Sequence, residues 1–179
     1  MFDPTVFENL KVAFENELYD LDNLDRAIDI ANRTDRLDMA VMAREFALQF
    51  RLAGRTDVTA ELRLRATLAD LAAEILETEG ASPGCSLQLR FHLQVSEPDA
   101  QCGLIEEALR RIWQPELTPK QTISRVYGQE PIVHTNRIEL DFNRQINEEQ
   151  MEDIPELARH MLQTLKELRT FAAWARMPE

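Results

Sequence analysis

The chain has 179 residues, 44% of them hydrophobic and 29% charged. That length and balance suit one folded domain, residues 1–179, able to bury a core without disulfide or metal, and exclude a disordered chain. The 20 Lys and Arg against 32 Asp and Glu leave a net charge of −12, a field that repels phosphate backbones and anionic lipid, so no nucleic acid and no membrane is expected as a partner.

Asp3 before Pro4 has the form of an N-cap and first-turn residue, which predicts a short helix over residues 4–9. From Leu10 the even positions Leu10, Val12, Phe14 and Leu18 alternate with Lys11, Glu15 and Glu17, the period of a half-buried strand, up to a turn at Asp20-Leu21-Asp22-Asn23. Residues 27–33 predict a weaker strand through Ile28 and Ile30. A further strand runs over about 40–52, with Met42, Phe46, Leu48, Phe50 and Leu52 on one face. After Ala53-Gly54-Arg55-Thr56-Asp57, the alternation of Val58, Ala60, Leu62, Leu64 and Ala66 with Thr59, Glu61, Arg63 and Arg65 completes a β-hairpin.

At Leu68 the period becomes helical, with Leu68, Leu71, Ala72, Ile75 and Leu76 on one face until Gly80. The clearest strand follows: Leu87, Leu89, Phe91, Leu93 and Val95 face one way, and Gln88, Arg90, His92 and Gln94 the other. Ser96-Glu97-Pro98-Asp99 reads as a helix start, for a helix that buries Ile105, Leu109, Ile112 and Trp113 and stops at Pro115. Thr118-Pro119 predicts a second, shorter helix to about Tyr127, and Ile138, Leu140 and Phe142 a last strand. From Asn147 a long amphipathic helix carries Leu157, Met161, Leu165, Leu168 and Ala172, with a kink or second start near Asp153 because Pro155 disfavours helix in the residue before it. Strands that alternate cleanly keep one face in water. The expected fold is therefore α+β: a mostly antiparallel sheet of about five to six strands, helices packed on one face, and a long C-terminal helix.

No phosphate loop, dinucleotide fingerprint, HExxH or nucleophile elbow occurs, and the five glycines are dispersed at element ends. His92, His134 and His160 have no ligand spacing, although His92 falls on the polar side of its strand. Cys85 and Cys102 match no metal spacing and read as free thiols in a reducing compartment. Cys102 lies near a helix start that favours the thiolate, with Asp99 and Glu97 opposing it. Asp20, Asp22, Asp25 and Asp29 resemble a calcium loop but lack its sixth-position glycine. The stretch from Asp141 to Glu152 lacks it too, having Ile146. No metal and no cofactor is expected.

The start Met1-Phe2-Asp3-Pro4 lacks the basic and apolar regions of a signal peptide, and no apolar run approaches the ~20 residues of a spanning helix, so a cytoplasmic location is expected. The order of elements and the acidic composition resemble small cytoplasmic secretion chaperones at the level of architecture, with no residue motif behind the resemblance. Two functional expectations follow. The first is a non-catalytic protein-interaction or regulatory module, a homodimer or other homo-oligomer, or else the binder of a protein partner, using the open sheet face or an apolar stripe of Leu165, Leu168, Phe171 and Trp174. The second is a small-molecule binder or enzyme with a site between sheet and helices, to which Arg63, Arg65, Arg90 and His92 supply polar contacts.

Overall fold

A computed structural model of the protein describes residues 5–114 and 117–174, the side chains of residues 173 and 174 excepted. Four α-helices, α1 (Thr5–Asn23), α2 (Leu68–Ile75), α3 (Pro98–Trp113) and α4 (Ile154–Trp174), accompany six strands. These are β1 (Ile28–Asp38), β2 (Ala43–Leu52), β3 (Val58–Ala66), β4 (Ser86–Val95), β5 (Lys120–Ser124) and β6 (His134–Asp141). They form one sheet in the order β1-β2-β3-β4-β6-β5, every pairing antiparallel. The expected α+β class is the one observed.

The alternation read from the sequence sets the two faces. Leu87, Leu89, Phe91, Leu93 and Val95 of β4 are buried between Ala60, Leu62 and Leu64 of β3 and Ile138 and Leu140 of β6. On that face lie α1, through Phe7, Leu10, Phe14 and Leu18, and α4, through Ala158, Met161, Leu165, Leu168 and Ala172. The third helix, α3, packs beside α4 with Ile105, Leu109, Ile112 and Trp113 inward. The β2–β3 hairpin and the second start near Asp153 are both present, the latter as a 3-10 turn over Glu148–Asp153 capped by Asn147.

Several expectations are corrected. Residues 10–18 are helix, not strand: Leu10, Phe14 and Leu18 are four apart, a spacing that a helix face and alternate strand positions both satisfy. Val12 separates the two, since a strand would bury it with its even neighbours, and it is 47% exposed. Asp3 and Pro4 lie outside the described residues, as does Pro115. The segment after Thr118-Pro119 is strand β5, whose β-branched Thr122 and Ile123 pair with β6. In α2 only Leu71 is buried, while Leu68, Ile75 and Leu76 are exposed. That helix is eight residues long and docks through polar contacts, Glu74 accepting from the Val6 amide at 3.3 Å and Asp70 from Gln145 at 2.6 Å. The hydroxyl cap expected at Ser96 is replaced by Gln101, whose Oε1 accepts from the Ser96 and Glu97 amides at 3.0 and 2.8 Å.

Candidate functional site

The outer sheet face carries the polar residues of each strand, and cross-strand register puts opposite charges side by side. Along one row Glu61 of β3 faces Arg90 of β4, which faces Glu139 of β6, with Lys120 of β5 beyond. Side chains tie the rows into a chain. Arg36 and Arg63 both reach Glu45 at 3.0 Å, Arg63 reaches Glu61 at 2.9 Å, and Arg90 reaches Glu139 at 3.1 Å and Glu61 at 3.9 Å. Arg137 closes it on Glu139 at 3.8 Å. Glu61 is nearly buried; burial works to raise its pKa, but the bonds donated by Gln49 at 2.5 Å and by Arg63 outweigh it, and the carboxyl is held below its ordinary value. Charges spent on one another this way stiffen a surface and leave little for an anion.

Two depressions divide the residues expected to contact a ligand. Arg63, Arg65 and Arg90 line one of about 250 Å³ with Glu45 and Asp141. Arg65 stands exposed in it, while Arg63 and Arg90 are engaged in the ion-pair chain. His92 lies apart, in a groove of about 420 Å³ at the sheet end between Thr56–Thr59, Gln94–Ser96 and Pro131–Thr135. Burial pushes the His92 pKa down, and Arg137 and Arg90 add to this while Glu61 opposes it, which keeps the imidazole neutral. Between sheet and helices, a depression lined by Phe14, Phe142, Ile154 and Leu157 holds about 90 Å³. The four residues named for a site at that place, Arg63, Arg65, Arg90 and His92, point to the opposite face of the sheet.

The stripe expected on the C-terminal helix is also placed differently. Leu165 and Leu168 are fully buried in the chain's own core and offer no surface to a partner, while Phe171 packs against that core and is partly buried. The Trp174 side chain lies outside the described residues. At ~1.5 Å per residue the 21 residues of α4 span ~31 Å, enough to cross a sheet whose six strands measure about 24 Å between outer axes.

Other groups weighed for chemistry have structural duties. Cys85 is buried, its pKa pushed up to about 12 by burial and then by Asp70 and Glu74. The Cys102 thiol is also raised, by burial and by Asp99, so the helix start does not activate it. Asp22 and Asp29 accept backbone amides of Ile30 and Gly54 at 3.2 and 2.7 Å. Among the described residues no three His, Cys, Asp or Glu side chains gather as a metal site would require.

The two sheet edges differ in a way that periodicity does not reveal. Along β1 the register shifts at Ala31, the Ile30 amide is held by the Asp22 carboxylate, and the Arg33 amide by the Asn32 side chain at 2.9 Å. A bulge, charged side chains and occupied amides are the means by which natural sheets blunt an edge. Along β5 the side facing away from β6 has no backbone partner among the described residues. Beside it Ile123, Val126 and Ile132 are exposed and Tyr127 is 98% exposed.

The fold and this surface define a two-layer α+β protein whose β1 edge is blunted and whose β5 edge is open among the described residues. No family model, curated protein or solved structure matches the chain. No described helix is long and apolar enough to cross a membrane.

Proposed function

We propose that this chain is a non-catalytic protein-interaction module, its partner a second copy or another protein, working in a reducing, cytoplasmic compartment where Cys85 and Cys102 remain thiols. The observation that carries this reading is the unsealed β5 edge. The chain blunts its 11-residue β1 edge with a bulge and two side-chain caps, yet leaves the outer side of β5 without a backbone partner among the described residues, beside four exposed apolar residues. An edge of this kind is a template for another strand unless function keeps it open.

The test is a photoreactive group placed at Tyr127 in producing cells, with a matched one at Val12 on α1, and hydrogen exchange of the purified chain at low and high concentration. A discrete protein adduct confined to position 127, or concentration-dependent protection of Lys120–Ser124, supports the reading. Neither result would leave it without a partner surface.

A second reading rests on the groove at His92, whose volume of about 420 Å³ falls within the range of small-molecule sites. Thr56, Thr59, Ser96 and Thr135 line it with hydroxyls, against an apolar wall of Ile132 and Val133. A small molecule in the groove moves the His92 imidazole resonances; ligand screens that leave them unmoved speak against it.

A further inference from the structure

We infer that the β5 edge receives an extended peptide segment in which acidic and apolar residues alternate, docking as a seventh strand beside the six of the sheet. This rests on the protein-interaction reading above and adds the partner's chemistry to it. A strand laid against β5 continues the pleat, so its successive side chains fall alternately on the outer and inner faces.

On the outer face the added strand runs beside Lys120, Thr122 and Ser124, with Arg137 directly behind Thr122 in the register. Glu139, the acid opposite Lys120, is held by Arg90 at 3.1 Å, which leaves Lys120 and the exposed Arg125 without an ion pair among the described residues. Arg137 keeps only a 3.8 Å contact with Glu139. In a chain of net charge −12, residues 117–137 hold three cations, Lys120, Arg125 and Arg137, against one acid, Glu130. The outer side of this edge therefore favours carboxylates.

On the inner face the neighbours are Gln121 and Ile123. Gln121 is committed: its amide donates to the Cys102 carbonyl at 2.9 Å and its oxygen accepts from Asn136 at 2.8 Å, which fastens β5 to α3. What remains on that side is the exposed Ile123, which suits an apolar side chain. The edge strand is thus held rigidly from behind while its free side differs between faces, one basic and one apolar.

A second copy is a poorer occupant. It brings a second charge of −12 to the contact, and antiparallel pairing of β5 with itself about Thr122 sets Lys120 against Ser124, so the cations gain no carboxylate.

The probe is acetyl-Glu-Val-Glu-Val-Glu-Val-Glu-Val-amide, with the Lys-Val counterpart as control, titrated into the whole chain and followed by amide NMR and hydrogen exchange. The expected result is exchange slowed about ten-fold or more at Lys120–Ser124, with the Lys-Val peptide bound about ten-fold more weakly and the difference shrinking as salt is raised. The double variant Lys120→Glu, Arg125→Glu should keep the wild-type melt and reverse the preference. Thr122→Pro should abolish binding, and if that variant fails to fold, the charge reversal carries the test alone. Equal binding of both peptides, protection at β1 in place of β5, or no binding of the Glu-Val peptide overturns the inference. If β5 is protected by self-association while the peptide fails, the interaction reading stands and this inference falls. If neither occupies β5 and no protein adduct forms at position 127, both fall.

Discussion

Trp113 on α3 donates its indole N–H to Thr164 Oγ1 on α4 at 2.9 Å, and the Thr164 hydroxyl donates in turn to the His160 carbonyl one turn back at 2.8 Å. The His160 ring meets the indole edge-on with centroids 5.4 Å apart, and Phe142 does so at 6.3 Å. This buried relay joins the two helices that carry the C-terminal half of the core. Thr164→Val keeps the shape but strands the indole donor, and should cost about 1–3 kcal/mol in chemical denaturation. Thr164→Ser should restore most of it.

The reassignment of residues 10–18 is tested by a pair of substitutions. Val12→Glu lies on the exposed side of α1 and should change the unfolding free energy by no more than about 0.5 kcal/mol. Phe14→Ala opens a cavity in the core and should cost about 3–5 kcal/mol. Were residues 10–18 a strand, both would be severe.

Those residues also show where sequence reading reached its limit. Leu87 to Val95 could be read without ambiguity because nine residues of strict alternation have no helical counterpart. Leu10, Phe14 and Leu18 satisfy both periods, and only burial at Val12 decides. Thr118-Pro119 looks like a helix cap, but strand pairing with β6 overrides local preference at Thr122 and Ile123. The faces of Arg63, Arg65, Arg90 and His92 were legible, since outward direction follows from the pleat. Their division between two depressions was not, because it depends on the approach of the segment Pro131–Thr135 to one end of the sheet. The sealing of β1 was equally hidden: Asp22 reaches Ile30 across a turn, a contact that no periodicity encodes.

Acid should unfold the chain in two stages. The folded pKa of His92 lies below its ordinary 6.5, so the unfolded state binds more protons between the two values. Stability from this group is complete above 6.5 and declines as pH falls towards the folded value. Glu61 and Asp35 are lowered from 4.5 and 3.8, so their contribution is complete above those values and is lost further down, as pH falls through the folded ones. Urea denaturation at stepped pH should show the first decline disappear in His92→Gln and the second diminish in Glu61→Gln.

Opening the sealed edge should have a visible cost. The double variant Asp22→Ala, Asn32→Ala frees the Ile30 and Arg33 amides along an 11-residue strand. It should associate in a concentration-dependent way in sedimentation velocity at concentrations where the parent does not change. A variant that behaves as the parent would mean that the bulge at Ala31 suffices.

Strands β4 and β6 are direct neighbours in the sheet, although Ser96–Val133 lies between them in the chain, and β1, β2, β3, β4 and β6 follow one another in both space and sequence. The long detour leaves the meander, adds α3 to the helical layer, lays β5 on the outside and returns. The surface proposed to meet a partner is thus carried on the outer side of an excursion whose helix α3 is part of the core. Lys120, Arg125 and Tyr127, exposed on that excursion, can therefore change one by one without disturbing the core, so that a partner face there, if the proposal holds, is one that selection can rewrite while the scaffold stays fixed.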